Sequence, residues 1–460
     1  MIATTRRGFL RAGLGAAAAP YVFSQSRRDA LLKNVLFLVA DDLRPMLGCY
    51  GYPDAVTPNI DRLATRGVTF LNNHCQLASD GPSRRSLFTG LRPGLTGVFY
   101  EAANFRASRP NAVTLPQYFR HNGYHATSIG RVFDDTASWD EVDGREPDES
   151  NAHSWQVSSG DLFDGQTATR AVDALKSAGD RKFFLAVGFE RPSLPFAAPQ
   201  KYFDLHQRAY VKSLQGQLPE GAPEYAVPAE GELRGFTDIS GADGIDGEVG
   251  RDLVRAYMAS VSYVDAQIGL VLSALDGQGL WEETTIVLCS DSGFHLGEQG
   301  LWGKNSVFEV ATRTPLIISS FGRRGGGRKT RALTELVDVY PSVCELAGLP
   351  IPGSLDGAST APLFGNPDRL WKRAVFSQQP REIPFLGPGM GYSMRTDRYR
   401  YTEWSAFDSP YKTAELYDYK HQPLEMENLA NDPKRQTLAN GLSAMMREGP
   451  RAALPPKRQH

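Results

Sequence analysis

The strongest constraint on the fold of this chain is a set of short, continuous apolar runs. They occupy residues 33–40 (KNVLFLVA), 183–189 (FFLAVGF), 284–290 (TTIVLCS) and 314–320 (TPLIISS). Such runs are typical of strands that are buried on both faces of a sheet. Between them lie stretches such as residues 254–275, where apolar residues recur at helical spacing. The pattern predicts an α/β fold with a mostly parallel sheet flanked by helices on both faces.

The pattern changes in the last fifth of the chain. Residues 391–404 (GYSMRTDRYRYTEW) and 414–420 (AELYDYK) alternate in the manner of antiparallel strands. We therefore expect three parts after the N-terminal segment: an α/β domain over residues 31–367, a smaller C-terminal antiparallel-sheet subdomain over 368–445, and a polar tail over 446–460.

The N-terminal segment indicates export. Arg6 and Arg7 precede Phe9, Leu10 and a short run of alanine and glycine, which is typical of a twin-arginine signal peptide. We assign this signal to residues 1–24 and expect a periplasmic or extracytoplasmic protein without a membrane span. The net charge of −2 over 460 residues gives no general attraction for nucleic acid. The four cysteines form no C-x-x-C pair, which argues against a zinc site.

Acidic residues follow two of the predicted strands. Asp41 and Asp42 come directly after the first run, and Asp291 follows the third. In open parallel sheets, ligands bind beyond the carboxyl ends of the strands. Together with Asp80, these residues offer the oxygen ligands that calcium and magnesium prefer. Helix capping and turn formation are alternative roles for Asp41 and Asp42.

Longer motifs link the chain to a known family. They include DDLRPMLGCYG, TPNIDRLATRGVTF, GPSRRSLFTGLRP, SDSGFHLGEQGLWGKNSVFEVATRTPLI and ELVDVYPSVCELAGLP, and with others they cover nearly everything from Lys33 to about Asn440. On these motifs the chain resembles the sulfatase family of the alkaline phosphatase superfamily, and within it the iduronate-2-sulfatase-like branch. The resemblance implies an alkaline phosphatase-like fold, one divalent cation (calcium or magnesium), and a sulfated or related glycan as ligand.

The resemblance also exposes one departure at the centre of the family's chemistry. In sulfatases the Cys or Ser of the pattern Cys/Ser-x-Pro-x-Arg is oxidised to formylglycine, whose hydrate binds calcium and attacks sulfur. That position here is Asp80, and Arg84 keeps the arginine that supports the nucleophile. An aspartate cannot become formylglycine, so we expect none, although its carboxylate can still be a metal ligand.

Other positions implied by the resemblance are kept or altered. The expected metal ligands are Asp41, Asp42, Asp80, Asp291 and Ser292, where Ser292 replaces the family's Asn or His. The expected catalytic positions are Asp80, Arg84, Arg131, Asp134 and Lys304, where Arg131 replaces a lysine and Asp134 a histidine. The expected substrate-contacting positions are Glu190 and Ser193, each in place of a histidine.

Three functional hypotheses remain open from the sequence. The favoured one is a metal-binding pseudoenzyme that binds a glycan or a protein, because added carboxylates and lost histidines oppose sulfate-ester hydrolysis. The second is a repurposed hydrolase or transferase for sulfuric or phosphoric esters that uses Asp80 or a metal-bound water. The third, an ordinary sulfatase, is opposed by Asp80. Convergence of Arg131, Asp134 and Glu190 on the metal site would favour chemistry over binding.

Overall fold

The computed structural model describes residues 34–101, 103–143, 153–158, 162–207, 217–228, 231–239, 245, 247–320 and 326–456. The predicted signal peptide at residues 1–24 lies outside the described residues. The strands are β1 (Asn34–Ala40), β2 (Val68–His74), β3 (His125–Gly130), β4 (Glu141–Asp143), β5 (Trp155–Ser158), β6 (Phe183–Phe189), β7 (Phe196–Pro199), β8 (Thr284–Ser290), β9 (His295–Leu296), β10 (Trp302–Gly303), β11 (Arg313–Ser319), β12 (Arg328–Glu335), β13 (Ala374–Ile383), β14 (Gly387–Thr396), β15 (Tyr399–Ala406) and β16 (Lys412–Asp418).

The described α-helices connect and flank these strands. They are α1 (Pro58–Arg66), α2 (Asp80–Thr89), α3 (Pro93–Thr96), α4 (Phe105–Ser108), α5 (Leu115–His121), α6 (Phe163–Ser177), α7 (Gln200–Phe203), α8 (Gly247–Gly277), α9 (Glu309–Thr312), α10 (Val339–Leu346), α11 (Ala361–Gly365) and α12 (Gln436–Ala452).

The main sheet has eight strands in the order β12-β2-β11-β8-β1-β6-β3-β4. Strand β1 at its centre pairs in parallel with both β6 and β8. Strand β11, from the apolar run predicted at 314–320, runs antiparallel to β8 and β2. The prediction of a mostly parallel α/β sheet is therefore confirmed.

The core lies on both faces of this sheet, as the unbroken apolar run of β1 predicts. Leu36 and Leu38 pack in one apolar cluster, and Val35, Phe37 and Val39 pack in the cluster on the opposite face. Because side chains alternate between the two faces of a strand, a strand that is buried on both faces favours an apolar residue at every position.

Helix α8 is the long core helix of one face and packs against α6 and β7. By length and composition alone it could cross a membrane, but 78% of its most apolar window is buried inside the protein. The buried side chains recur at helical spacing and include Leu253, Tyr257, Val261, Val264, Ile268 and Leu272.

The C-terminal part forms a four-stranded antiparallel sheet in the order β13-β14-β15-β16, as expected. Helix α12 packs on it, with Leu442 in the same apolar cluster as Met394 and Tyr401. The tail expected from residue 446 begins inside α12, which continues to Ala452. Arg400 of β15, fully buried, donates to Glu309 of the main domain at 2.8 Å and so joins the two parts.

Candidate metal and ligand site

The site is built where β1 ends. The Asp41 N–H donates to the Phe189 carbonyl at 3.1 Å, which continues the pairing of β1 with β6. Asp42 then adopts a left-handed backbone with φ +56°, a conformation that aspartate tolerates better than most residues. Its own N–H donates to Asp291 Oδ1 at 3.2 Å, and its carbonyl accepts from the Tyr257 hydroxyl at 2.8 Å. This turn therefore fixes both aspartates beside the end of β8.

Helix α2 brings Asp80 to the same edge of the sheet. Asp80 is the first residue of the helix and is only 8% exposed. Its carboxylate accepts from Arg131 Nη2 at 3.0 Å and from the Lys304 ammonium. Oxygens of Asp41, Asp80 and Asp291 all lie within 4.8 Å of one another, and we term these three residues the acidic cluster.

Arg84, one turn further along α2, holds the other two members of the acidic cluster. Its Nε donates to Asp291 Oδ2 at 2.9 Å, and its Nη2 is ion-paired with Asp41. Its Nη1 donates to the Arg131 carbonyl at 2.8 Å. The arginine expected to support position 80 therefore acts mainly on the aspartates at the ends of β1 and β8.

Asp42 has a different environment from the acidic cluster. Lys304 Nζ lies 2.8 and 2.9 Å from its two carboxylate oxygens. Its carboxylate also accepts from the hydroxyls of Ser193 at 2.7 Å and Ser292 at 2.9 Å. Ser193 and Ser292 thus lie beside the site, with their hydroxyl protons directed to Asp42.

Arg131 reaches the site because two glycines let β3 and β6 approach closely. A Cβ on Gly130, which has φ +74°, would lie 2.3 Å from the Gly188 carbonyl oxygen, and a Cβ on Gly188 would lie 1.9 Å from the Arg131 carbonyl oxygen. Arg131 then spans two members of the acidic cluster, with Nε 3.3 Å from Asp41 and Nη2 bonded to Asp80. Close backbone approach of this kind requires glycine.

Two predicted site residues do not join the acidic cluster. The Asp134 side chain is 70% exposed and pairs with Arg85 at 2.7 Å. Glu190 is buried, but its carboxylate pairs with Arg191 at 3.1 Å. Of the three groups whose convergence would favour chemistry, only Arg131 contacts the cluster.

Two other acidic residues near the site were not predicted from the sequence. Glu232 accepts from the Lys304 N–H at 2.9 Å, and Glu101 contacts the start of α2 through Gly81. Glu101 lies in a loop and Glu232 begins a short 3-10 helix, both far in sequence from the strand ends. No periodic or motif signal marks such positions, so sequence reasoning had no means of finding them.

The surroundings of the site shift the pKa values of its carboxylates in opposite directions. Burial raises the pKa of Asp80 to about 7, helped by Asp42 and Asp291 and opposed by Lys304 and Arg131. Burial also disfavours ionisation of Asp291, but Arg84 and Lys304 outweigh it and hold that pKa below its usual range. Burial opposes the charge of Lys304 too, yet the surrounding carboxylates keep its pKa well above the usual value.

The residues present fit a divalent cation. Asp41 is fully buried, and its carboxylate has two cationic neighbours, Arg84 and Arg131. Buried carboxylates are normally either paired with such groups or metal-bound. Three carboxylates with oxygens within 4.8 Å of one another make a possible site for a hard cation.

Comparison with known proteins identifies the chain's family. The Sulfatase family model matches residues 33–349, and the model for the C-terminal region of N-sulphoglucosamine sulphohydrolase matches residues 297–451. The chain belongs to the sulfatase family. Iduronate 2-sulfatase of Mus musculus is 32% identical over 523 residues, covering 91% of this chain and 94% of that protein.

Solved structures with the alkaline phosphatase-like fold are similar to this sulfatase-family protein. One is a complex with the substrate D-glucosamine-2-N,6-O-disulfate, at TM-score 0.77 and 21% identity, covering 90% of this chain and 97% of that one. Another is the phosphonate monoester hydrolase of Agrobacterium radiobacter, also at TM-score 0.77 and 21% identity, covering 91% and 95% of the two chains. At these identities the likeness establishes the alkaline phosphatase-like fold and no more.

Proposed function

We propose that this sulfatase-family protein binds one divalent cation and a sulfated or related glycan, and does not hydrolyse sulfate esters. The observation that carries the proposal is the state of Asp80. A carboxylate occupies the position where the family resemblance expects formylglycine, and it is held by Lys304 and Arg131. A carboxylate that is engaged by two cations is a poor nucleophile toward a sulfate ester.

The acidic cluster supports the cation part of the proposal. Asp41, Asp80 and Asp291 are the residues that would hold calcium or magnesium. Once bound, the cation would supply positive charge with which a sulfate or carboxylate group of the ligand can interact. This chain's own contribution is to keep these carboxylates buried and converging through Arg84 and Arg131.

The positions of Asp134 and Glu190 support binding over hydrolysis. In place of two histidines the chain has carboxylates, and both are paired with arginines outside the acidic cluster. The Lys304 ammonium is ion-paired with both Asp42 and Asp80, so it is engaged within the site. The glycan part of the proposal is supported by the relatives, which include iduronate 2-sulfatases.

The test combines metal analysis with sulfate release. Stoichiometric calcium or magnesium is expected in the purified protein and is expected to be lost in Asp80→Ala. No sulfate is expected to be released from an aryl sulfate or a sulfated disaccharide. Asp80→Cys, produced in cells that convert this cysteine to formylglycine, is the matched variant, because it recreates the family pattern in an otherwise unchanged site.

Each outcome decides between the functional classes. Sulfate release by the wild-type protein, above that of Asp80→Ala, would overturn the proposal. Hydrolysis of a phosphate or neutral ester by the wild type, lost in Asp80→Asn, would establish the repurposed hydrolase instead. That alternative draws on the pKa of Asp80 near 7, which allows proton transfer at neutral pH.

We also propose that residues 1–24 direct export through the twin-arginine pathway. Replacing Arg6 and Arg7 with lysine should leave the protein in the cytoplasm. Recovery of the double variant from the periplasm in wild-type amounts would refute the assignment.

A further inference from the structure

One carboxylate outside the acidic cluster accepts hydrogen bonds from the residues on both sides of Asp80. Glu101, in the loop between α3 and α4, accepts the Ser79 hydroxyl proton at Oε1 with a distance of 2.7 Å. The Gly81 N–H donates to Oε1 and Oε2, each at 2.9 Å. Ser79 and Gly81 are the two residues that flank Asp80 in sequence.

This arrangement reverses the usual role of a serine before a helix. Ser79 stands at the N-cap of α2 with extended backbone angles (φ −163°, ψ 141°), yet its side chain accepts no capping hydrogen bond. The side-chain oxygen of an N-cap serine normally accepts a hydrogen bond from a backbone N–H of the first turn. Here Ser79 donates to Glu101, and Glu101 accepts the first-turn N–H instead. The capping carboxylate thus comes from a loop 20 residues away.

Gly81 makes this contact possible. A Cβ at position 81 would lie 2.5 Å from Glu101 Oε2 and 2.5 Å from Arg85 Nη1. The backbone of Gly81 is helical and not left-handed, so alanine suits the main chain there but displaces the carboxylate. The structure therefore offers a way to break the contact without removing the charge of Glu101.

We propose that Glu101 is a positioning residue for the cation site. By fixing the main chain before and after Asp80, it sets where the Asp80 carboxylate enters the acidic cluster. The inference rests on the proposed function, since it concerns how a ligand of that cation is held. Groups that orient the direct ligands of a metal commonly change its affinity by 10- to 100-fold when they are lost.

The experiment measures calcium affinity by isothermal titration of the full-length protein. Glu101→Ala and Gly81→Ala are both expected to weaken calcium binding by about 10-fold. Glu232→Gln is the charge control, because it removes a nearby negative charge without touching Ser79 or Gly81. It is expected to weaken binding by less than about 3-fold, the smaller effect of a charge that is not a ligand.

The outcomes separate positioning from simple charge. If Glu101→Ala and Glu232→Gln weaken binding equally while Gly81→Ala does not, Glu101 acts through its charge and the inference is overturned. Wild-type affinity in both Glu101→Ala and Gly81→Ala also overturns it and leaves the cation site intact. A wild-type protein that binds no calcium or magnesium refutes the proposed function itself. Urea midpoints in EDTA establish that each variant is folded, and Ser79→Ala, which removes one contact, replaces any variant that is not.

Discussion

Replacing Asp80 with asparagine is expected to stabilise the protein without metal and destabilise it with metal. Asparagine has nearly the shape of a protonated aspartate and keeps an oxygen to accept from Lys304. The carboxylate of Asp80 has an ordinary pKa of 3.8 that rises to about 7 in the folded protein. A raised acid pKa means that the folded state disfavours the charged form.

The magnitude follows from linkage between proton binding and folding. The contribution of Asp80 to stability is fully present below its unfolded pKa near 4 and is lost as the pH rises through 7. At pH 8 the charged form costs up to about 4 kcal/mol relative to the protonated form. In EDTA, Asp80→Asn should therefore exceed the wild type in free energy of unfolding by up to that amount at pH 8. The difference should shrink steadily toward pH 5.

Calcium should invert the order. Calcium at ten thousand times its dissociation constant stabilises the folded state by about 5.5 kcal/mol, more than the roughly 4 kcal/mol that separates the two proteins without metal at pH 8. The wild type should gain this stabilisation, and Asp80→Asn should lose most of it because a ligand carboxylate is gone. Free energies come from urea titrations at pH 5, 6, 7 and 8, with EDTA or with calcium.

Asp134→Asn is the matched control for this experiment. The same chemical change is made three residues beyond Arg131, at a side chain that is 70% exposed and lies outside the acidic cluster. It should change stability by less than about 1 kcal/mol at every pH, with or without calcium. Should Asp80→Asn prove less stable than the wild type at pH 8 in EDTA, the ion pairs with Lys304 and Arg131 outweigh burial and the reasoning is refuted.

Three other substitutions test the same account. Lys304→Met removes the ammonium that competes for Asp80, so calcium affinity measured by titration should rise by about 10-fold or more; unchanged affinity would contradict competition. Gly188→Ala places a Cβ 1.9 Å from the Arg131 carbonyl oxygen, so it should lower the free energy of unfolding, measured in urea, by about 3 kcal/mol. A wild-type urea midpoint would show instead that β3 and β6 separate easily. Arg400→Met leaves buried Glu425 without its ion-pair partner, while Glu309 keeps Arg395. It should cost about 3–5 kcal/mol at pH 8, and less at pH 4 where Glu425 protonates; an equal loss at both pH values would exclude the charge explanation.

The sequence predicted the fold best where the burial of a strand requires a particular pattern of apolar residues. The predicted runs at 183–189 and 284–290 match β6 and β8, because strands with two buried faces require unbroken apolar residues. The run at 314–320 forms β11, whose antiparallel direction no apolar pattern reveals. Composition likewise did not show that helix α12 continues past residue 446, since the amphipathic pattern there is interrupted by Gly449 and Pro450.

At the site, the sequence indicated the residues that directly follow strands. It did not indicate the direction of side chains that lie further along the chain. Asp41 and Asp291 converge because β1 and β8 are neighbours in the sheet. Asp134 lies only three residues after Arg131, but the chain has left β3 by then and its carboxylate turns outward to Arg85. Once a strand ends, spacing in sequence no longer fixes where a side chain points.

Asp80 changes the charge on which any anionic ligand depends. Asp41, Asp42, Asp80 and Asp291 face Arg84, Arg131 and Lys304, so these seven side chains, when ionised and without metal, carry one net negative charge. A divalent cation would bring the total to one net positive charge, whereas an uncharged residue at position 80 would make it two. Anion binding in this chain is therefore expected to require the metal, and to be weaker than at a site with formylglycine. A sulfated ligand that bound equally well with and without calcium would have to bind elsewhere on the protein.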